Sequence, residues 1–420
     1  MRTPGQTTSV QVRSTSRVSG GGAHMEVSTQ PVQSPSITLP ALFLKFLRFG
    51  CLAFGGPVAQ IAMLRQSLVE EEGWLDRARF NRLLAVFQIL PGPEAHELCV
   101  HLGVMARGRV GGLIAGLGFM LPGLLLMLAA GWIYVTLIAG HLGWSTALLG
   151  IQIVVLAVIL RAVFRIGEHI LEDRFCWAIA IGSAVAAFAG TPFWLPLAGG
   201  ALIYACAGRI GTVVCIASLM LLLAISIHYL PNVEIVAVAD TTRVTSAALF
   251  IAGLKGGLLT FGGAYTAIPY VRADTVGRGW LSDATFLDGI ALAGVLPAPL
   301  VIFATFAGYV AGGLVGALAI TAGMFLPAFA FSMIFYERLE AVIEHPALQR
   351  ALSGVAASVV GIISATLVQL SIATADRLTA PFLAFVLFAT ALLIVWRFKG
   401  TWVTPAVLAA GAFAGVIMTL

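Results

Sequence analysis

Long apolar stretches, separated by short polar segments, follow one another along nearly the whole chain of 420 residues. The stretches 111–140 and 211–230 are two examples. Each is at least as long as the roughly 20 residues that a helix needs to cross a bilayer. The pattern predicts an all-α polytopic membrane protein.

The composition supports a membrane location and argues against nucleic-acid binding. Hydrophobic residues make up 59% of the chain and charged residues 10%, whereas soluble domains have about 45–50% and about 25%. The net charge is +5, but Lys and Arg occur singly between apolar runs. They therefore indicate membrane topology rather than a nucleic-acid surface.

The N-terminal segment 1–37 differs from the rest of the chain. It is rich in Ser, Thr, Gly and Gln and has no apolar core of the kind found in signal peptides. We expect a disordered tail on the cytoplasmic side, with Met25 as an alternative start.

The chain contains an internal repeat, because four motifs recur in the same order. Their separations in the two copies agree to within one residue. The pairs are FLRFGCLAFGG (46–56) with GLKGGLLTFGG (253–263), GWLDRARF (73–80) with GWLSDATF (279–286), ILPGP (89–93) with VLPAP (295–299), and FMLPG (119–123) with MFLPA (324–328). The repeat predicts two homologous halves, 38–230 and 246–420, joined by an external linker at 231–245.

The distribution of basic residues predicts that the two halves are inverted relative to each other. Basic residues favour cytoplasmic loops. Arg107 and Arg109 mark such a loop in the first half, whereas its counterpart 308–313 carries no charge. The neutral turn near 139–144 has a charged counterpart at 336–350. Inverted repeats of this kind are common in secondary transporters.

Two groups of arginines refine this topology. Arg243 and Arg377 fall on the external side and are its exceptions. The cytoplasmic loop that follows the 139–144 turn is predicted from Arg161, Arg165 and Arg174.

Short apolar pieces precede the first basic loop. The pieces 40–53, 58–69, 80–90 and 94–106 are interrupted by FGGP and LPGPE. Each would form a helix of about 16–21 Å, too short for a hydrocarbon core of about 30 Å. They therefore form either discontinuous helices or two re-entrant hairpins.

Broken helices can bind anions, because their ends leave backbone N–H groups free at a positive dipole. A cation lies near each glycine pair: Arg48 in the first half and Lys255 in the second. An intramembrane cation is a candidate for a functional role. The alternative is that both side chains extend to the membrane interface.

The ordered motifs FGGP, EEGWLDRARF, LPGPEA and GGLIAGLGFMLPG resemble the chromate ion transporter family in its long two-domain form. The resemblance covers about 40–420 and implies a carrier that exports chromate, with sulfate as competitor, driven by an ion gradient and giving chromate resistance. By position it implicates Gly55, Gly56, Pro57, Pro91, Gly92, Pro93 and Glu94, with Gly262, Gly263, Pro297 and Pro299 as counterparts. Ala298, where a glycine is usual, and Ala264, where the first half has proline, are departures.

The polar segment 94–101 contains two histidines and two glutamates. His96 and His101 are five residues apart, whereas a zincin site needs a spacing of four. We therefore predict no metal site. Glu94, Glu97 and His101 share one helix face. They form either a proton relay, with Glu94 its best candidate, or a structural pair of Glu97 with His101.

The remaining expectations concern function. No GxSxG or HExxH motif occurs, so we predict a transporter rather than an enzyme, with no cofactor. The partners are the lipid bilayer and chromate, with sulfate as a second substrate and a homodimer as an open alternative to a monomer. We expect the chain in the inner (plasma) membrane. Proton-coupled sulfate uptake and a passive anion channel are the alternative functions.

Overall fold

The computed structural model describes residues 8–11, 28–31, 37–54, 56–138, 142–229, 243–334, 346–398, 400 and 402–417. Nearly all of these residues are helical, which confirms the all-α fold. The exception is an antiparallel pair of short strands, Thr8–Gln11 and Ser28–Pro31, in the N-terminal tail. Two such strands are marginally stable alone in water. The disordered tail therefore stays a prediction, and most of the proposed linker 231–245 lies outside the described residues.

Fifteen helices are described, in two series. The first series is α1 Leu39–Cys51, α2 Gly56–Arg65 with a π-helical extension Gln66–Glu71, α3 Arg77–Ile89, α4 Glu94–Ile133 with a π-helical extension Tyr134–Ile138, α5 Leu142–Ile170, α6 Arg174–Phe188, α7 Trp194–Ala205 and α8 Ile210–Tyr229. The second is α9 Ser246–Leu258, α10 Ile268–Thr275 after a 3₁₀ turn Ala264–Ala267, α11 Asp283–Val295, α12 Phe303–Ile334 after a 3₁₀ turn Leu300–Ile302, α13 Pro346–Ala375, α14 Pro381–Arg397 and α15 Val403–Ile417.

The structure repeats as the sequence does, with α1–α7 matching α9–α15. The backbone repeats in detail where α4 and α12 reverse direction. In α4 the reversal has φ/ψ of −144°/29° at Arg107 and 64°/−162° at Gly108. In α12 it has −140°/20° at Gly312 and 63°/−158° at Gly313. The positive φ favours glycine at the second position of both turns.

Each of these long helices is a hairpin of two antiparallel arms. In α4, a ring nitrogen of His96 lies 3.2 Å from the carbonyl oxygen of Gly116 across the hairpin. In α12, the hydroxyls of Thr305 and Thr321 are 2.6 Å apart. Glycines line the contact, and a Cβ on Gly103 would overlap the second arm. The first arms, 94–106 and 303–311, are too short to cross a bilayer.

The short helices form re-entrant hairpins, which decides between the two alternatives left by the sequence. The ring of Phe87 on α3 packs 5.4 Å from that of His101 on the first arm of α4. The chain after α2 also returns to α1, because Lys45 pairs with Glu72 and lies 5.1 Å from the ring of Trp74. Both pairs therefore fold back rather than continue in line.

Four helical segments are long and apolar enough to cross a membrane: Glu94–Ile138, Thr146–Ile170, Leu300–Ile334 and Leu348–Ala375. Two of them contain the reversals just described. The other two belong to α5 and α13, the matching helices of the two halves.

The two halves exchange contacts across these long helices. Helix α5 packs against α14 and α15 of the second half, and α13 packs against α6 and α7 of the first. Glycines make both approaches close: Gly150 meets Gly411, and Gly200 meets Gly354. Close backbone contact through small residues is the usual way in which membrane helices associate.

Helices α5 and α13 run antiparallel. Gln152, early in α5, accepts a hydrogen bond from Arg377 just beyond the end of α13. Gly167, late in α5, lies near Val360 in α13. Because α5 and α13 are equivalent helices, this is the relation expected between inverted repeats.

One feature of the predicted topology is wrong. Arg161 and Arg165 were expected in a cytoplasmic loop, but both lie within helix α5. The chain turns later, and Asp173 caps the start of α6 by accepting a hydrogen bond from the backbone N–H of Cys176. The two arginines are part of a helical segment, Thr146–Ile170, that is long and apolar enough to cross a membrane.

Candidate functional site

The tips of the re-entrant hairpins from both halves meet in the middle of the molecule. The backbone N–H of Gly92, in LPGP, donates to the carbonyl oxygen of Thr260, in TFGG, at 2.9 Å. The side-chain amide of buried Gln60 donates to the carbonyl oxygens of Ala53 and Ala298, each at 2.9 Å. The interrupted segments therefore hold the halves together at the centre.

This arrangement corrects the expected role of Gly92. Its N–H is occupied by Thr260 and is not free to bind an anion. Gly92 has a φ of 150°, and a Cβ there would lie 2.6 Å from Oε1 of Glu97. The position therefore demands glycine for conformation and space. Its counterpart Ala298 has no positive φ, which explains how alanine is accommodated.

A cavity of about 510 Å³ lies beside these tips. Gly56 and Pro57 line it from the first half, and Gly262 and Gly263 line it from the second. Its walls also include the second part of α5 and the first part of α13. The cavity thus combines the broken segments of both halves, as the sequence predicts, in one compartment of a size suited to a small ligand.

Two arginines supply the positive charge of the cavity. Arg161 and Arg165 are four residues apart on α5, so they lie on one face of the helix, and both line the cavity. Tyr265, at the start of the 3₁₀ turn after Gly263, lines the same space and interacts electrostatically with both. The sequence does carry a signal for these two arginines, since a cation inside a membrane is energetically costly and is therefore a candidate for a functional role. It was overlooked when the pair was assigned to a loop.

An acidic side chain faces the same cavity. Glu94 is the first residue of α4 and is 8% exposed. Its carboxyl group interacts electrostatically with Arg165. A helix start favours an acid because its dipole is positive there. The cavity is therefore lined by the two arginines and by two carboxyl groups, those of Glu94 and Glu172. Of these two acids, Glu94 is the one that interacts with Arg165.

Glu97 lies behind Glu94 and is fully buried. Neither of its carboxyl oxygens has a hydrogen-bond partner among the described residues, so the carboxyl group of Glu97 makes no hydrogen bond to His101. His101 packs against the ring of Phe87 instead. His96 is also fully buried, with its ring 4.9 Å and 4.8 Å from those of Phe325 and Phe329.

Among the described residues, the remaining predicted binding positions do not line the cavity. Arg48 is exposed on α1. The ammonium of Lys255 pairs with Asp274, 3.1 Å from Oδ2. The prolines and glycine buried at the tips are Pro91, Gly92, Pro93, Pro297 and Pro299. Gly55 lies outside the described residues. A direct role of the other positions in binding stays a prediction, whereas the N–H of Gly92 already donates to Thr260.

The charged part of the cavity comes from the first half alone. In α13, Ala365 and Gln369 occupy the positions equivalent to Arg161 and Arg165 when Gly354 is matched with Gly150. Gln369 accepts a hydrogen bond from Arg272. The repeat of the backbone is therefore not a repeat of the charges.

An all-helical membrane protein with inverted halves and a charged cavity between them has the architecture of many membrane transporters. The profile of the chromate transporter family matches residues 40–205 and 247–416, and the chain belongs to this family.

The chain is 52% identical over 392 residues to a chromate transport protein of Pseudomonas aeruginosa, covering 92% of this chain and 94% of that protein. A chromate transport protein of Cupriavidus metallidurans is 29% identical over 91% of this chain and 94% of its own length. A probable chromate transport protein of Synechococcus elongatus is 28% identical over 91% and 96%. No solved structure gives a significant match.

Proposed function

We propose that the chain exports chromate from the cytoplasm through the plasma membrane, driven by the membrane potential and the proton gradient, and so gives chromate resistance. The observation that carries the proposal is the central cavity, in which Arg161 and Arg165 face a space lined by the broken segments of both halves. Two guanidinium groups can neutralise a dianion, and each can form paired hydrogen bonds to oxyanion oxygens.

The direction of transport follows from energetics. With the interior negative, the membrane potential contributes about 2.3 kcal/mol per charge per 100 mV, so export of a dianion gains about 4.6 kcal/mol at 100 mV. Uptake must overcome the same amount. Export is therefore the direction that needs the least additional coupling, with the N-terminal tail in the cytoplasm.

Glu94 provides the link to protons. Its carboxyl group and the bound anion compete for Arg165, because both are negative and both face it. An ionised Glu94 pairs with Arg165 and disfavours the anion, whereas a protonated Glu94 leaves Arg165 to the anion. The anion and the proton then bind together and move in the same direction, so export is stimulated by a proton gradient that is acidic on the cytoplasmic side. Glu97 and His101, further along the same helix, are the candidates for passing that proton on.

Two other functions remain alternatives. Proton-coupled uptake of sulfate or another oxyanion would use the same cavity in the opposite direction, with Glu94 protonated from outside. A passive anion channel would also use the two arginines, but it could not concentrate its substrate. A second copy of the chain as partner remains an expectation.

Flux into sealed inside-out vesicles tests the proposal, because outward transport then appears as accumulation of radiolabelled chromate. We expect accumulation above equilibrium when a potential is imposed, further stimulation by a pH gradient, and competition by sulfate. Arg165→Gln should abolish it, with Arg174→Gln as the matched control. Arg174 lies at the start of α6 and does not line the cavity. Equilibration without accumulation would indicate a channel, and accumulation only in right-side-out vesicles would indicate uptake.

A further inference from the structure

A second polar cluster lies at the opposite end of the α5–α13 pair from the cavity. Asp288 on α11 accepts hydrogen bonds from the hydroxyl of Tyr134 at 2.8 Å and from the amide of Gln152 at 2.7 Å. The amide oxygen of Gln152 accepts a hydrogen bond from the guanidinium of Arg377 at 3.0 Å. These four side chains are called the far-side cluster below.

The far-side cluster joins the two halves. Tyr134 and Gln152 belong to the first half, whereas Asp288 and Arg377 belong to the second. The amide of Gln152 also approaches the carbonyl oxygen of Ala284, at 3.3 Å. Each side-chain hydrogen bond of the cluster therefore crosses from one repeat to the other.

The cluster is placed where it can close one end of the cavity. Gln152 lies about 13 Å before Arg161 along α5, at 1.5 Å per residue. The cavity extends in the other direction, towards Glu172, just beyond the end of α5, and Leu352 on α13. The buried members, at 8% exposure or less, connect to the exposed Arg377. The cluster thus runs from the surface at this end into the interior, on the side of α5 that leads towards the cavity.

At the cavity end, the described equivalents of three cluster residues carry different side chains. Ala356 stands where Gln152 would repeat and lines the cavity. Asp173 stands where Arg377 would repeat, and Arg82 where Asp288 would. The side chains that link the halves at one end are therefore replaced at the other.

We propose that the far-side cluster is the gate that closes the anion cavity on the external side and separates when the carrier turns outward. A fully satisfied buried network favours one arrangement of its elements and is costly when partly broken. It can therefore hold the two repeats together at this end until transport moves them apart. The proposal also accounts for Arg377, the basic residue that the positive-inside pattern places on the wrong side.

Labelling of a cysteine in the cavity tests the gate without any substrate. Ala356→Cys is introduced into the full chain after replacement of its five native cysteines. A membrane-impermeant maleimide is then applied to right-side-out and to inside-out vesicles. In this parent chain we expect labelling in inside-out vesicles and little in right-side-out vesicles.

The test compares two aspartates on the same helix. Asp288→Asn weakens the link between the halves, whereas Asp283→Asn breaks an ion pair with Arg272 that lies within the second half, at 2.6 Å and 3.0 Å. We expect Asp288→Asn and Gln152→Ala to raise labelling in right-side-out vesicles about tenfold, because a hydrogen bond to a charged group weighs strongly on a two-state equilibrium. Tyr134→Phe, which loses a single hydroxyl, should give a smaller rise, and Asp283→Asn none.

Parent-level labelling in Asp288→Asn, Gln152→Ala and Tyr134→Phe would overturn the gate. So would an equal rise in Asp283→Asn, because loosening of the fold would then explain it. Although the gate rests on the proposed carrier function, the readouts are separate. If the unmodified chain fails to accumulate chromate but the cluster variants open access from the far side, the function is refuted and the gate is kept. If the unmodified chain accumulates chromate normally but the cluster variants leave access unchanged, only the gate is refuted.

Discussion

The two halves of this transporter share a backbone plan but differ in the side chains placed on it. Both contain re-entrant hairpins, a glycine reversal at Gly108 or Gly313, and a long helix that packs against the other half. Yet α5 carries Arg161 and Arg165 in the cavity, whereas α13 carries Ala365 and Gln369 at the equivalent positions. Duplication explains the scaffold, and divergence explains the single charged site.

The difference makes the two ends of the molecule chemically unequal. A symmetric pair of repeats would present the same chemistry to both sides of the membrane. Here the charges of the cavity come from the first half, and the far-side cluster links the halves at the other end only. Under the proposed function and the proposed gate, one anion site closed at one end exposes its substrate to one side of the membrane at a time.

The largest expected effect comes from removing the two arginines that distinguish α5 from its counterpart α13. Arg161→Gln with Arg165→Gln should lower chromate flux by about 100-fold or more, since charge-assisted hydrogen bonds to an oxyanion are among the strongest polar contacts. Radiolabelled flux in vesicles, normalised to the amount of folded protein, measures this. Adding Gln369→Arg should not restore flux, because that position is engaged by Arg272. Restored flux would mean that the two halves are interchangeable.

The next effect concerns the tips, where Gly92 and Ala298 are counterparts. Gly92→Ala should lower the free energy of unfolding by about 1–3 kcal/mol, because alanine is strained at positive φ and its Cβ would crowd Glu97. Gly92→Leu should abolish chromate and sulfate binding together by distorting the tip. Ala298→Gly is the control and should change stability by about 1 kcal/mol or less. Thermal unfolding in detergent compares them, and equal losses at both positions would contradict the account.

A third effect separates binding from coupling. Glu94→Gln resembles the protonated acid, so chromate should still bind while stimulation of flux by a pH gradient disappears. Potential-driven flux measured at several pH values provides the readout. Leu300→Gln alters the equivalent start of the second half and should leave the pH dependence in place. Full stimulation in Glu94→Gln would move the proton carrier to Glu97 or His101, or leave export driven by the potential alone.

The smallest effect is expected at Lys255. Its side chain is 37% exposed and pairs with Asp274, and such pairs contribute about 1 kcal/mol or less. Lys255→Gln should therefore change chromate flux by about twofold or less. Arg48→Gln, in the first half, tests the same expectation on the exposed face of α1. Loss of flux in either variant, with the protein still folded, would place a substrate contact outside the cavity.

Much of the architecture could be predicted from the sequence, because its signals are local. The repeat, the breaks at FGGP and LPGP, and the short apolar pieces follow from composition and spacing. The choice between continuous and re-entrant helices could not be made, since it depends on contacts such as that between Phe87 and His101. The sequence draws attention to Gly92, but the reason for a glycine there depends on tertiary structure: the tip has a positive φ, and its N–H donates to Thr260 of the other half.

The site was predicted only in part. Glu94 and the glycines at 56, 262 and 263 line the cavity as expected. The cations were sought beside the glycine pairs, whereas the cavity uses Arg161 and Arg165 from a distant helix. Counting basic residues assigned that pair to a loop, because the method cannot distinguish a loop arginine from one in an intramembrane helix. Exchange of helices between the halves, which places α5 beside the tips, is not visible in the order of motifs.

Equilibrium binding of radiolabelled chromate to the purified full-length protein tests the central claim most directly. We predict one chromate bound per chain, displaced by sulfate, absent in Arg161→Gln with Arg165→Gln and retained in Lys255→Gln. Unchanged binding in the double variant would contradict the claim that the cavity between the two halves is the oxyanion site.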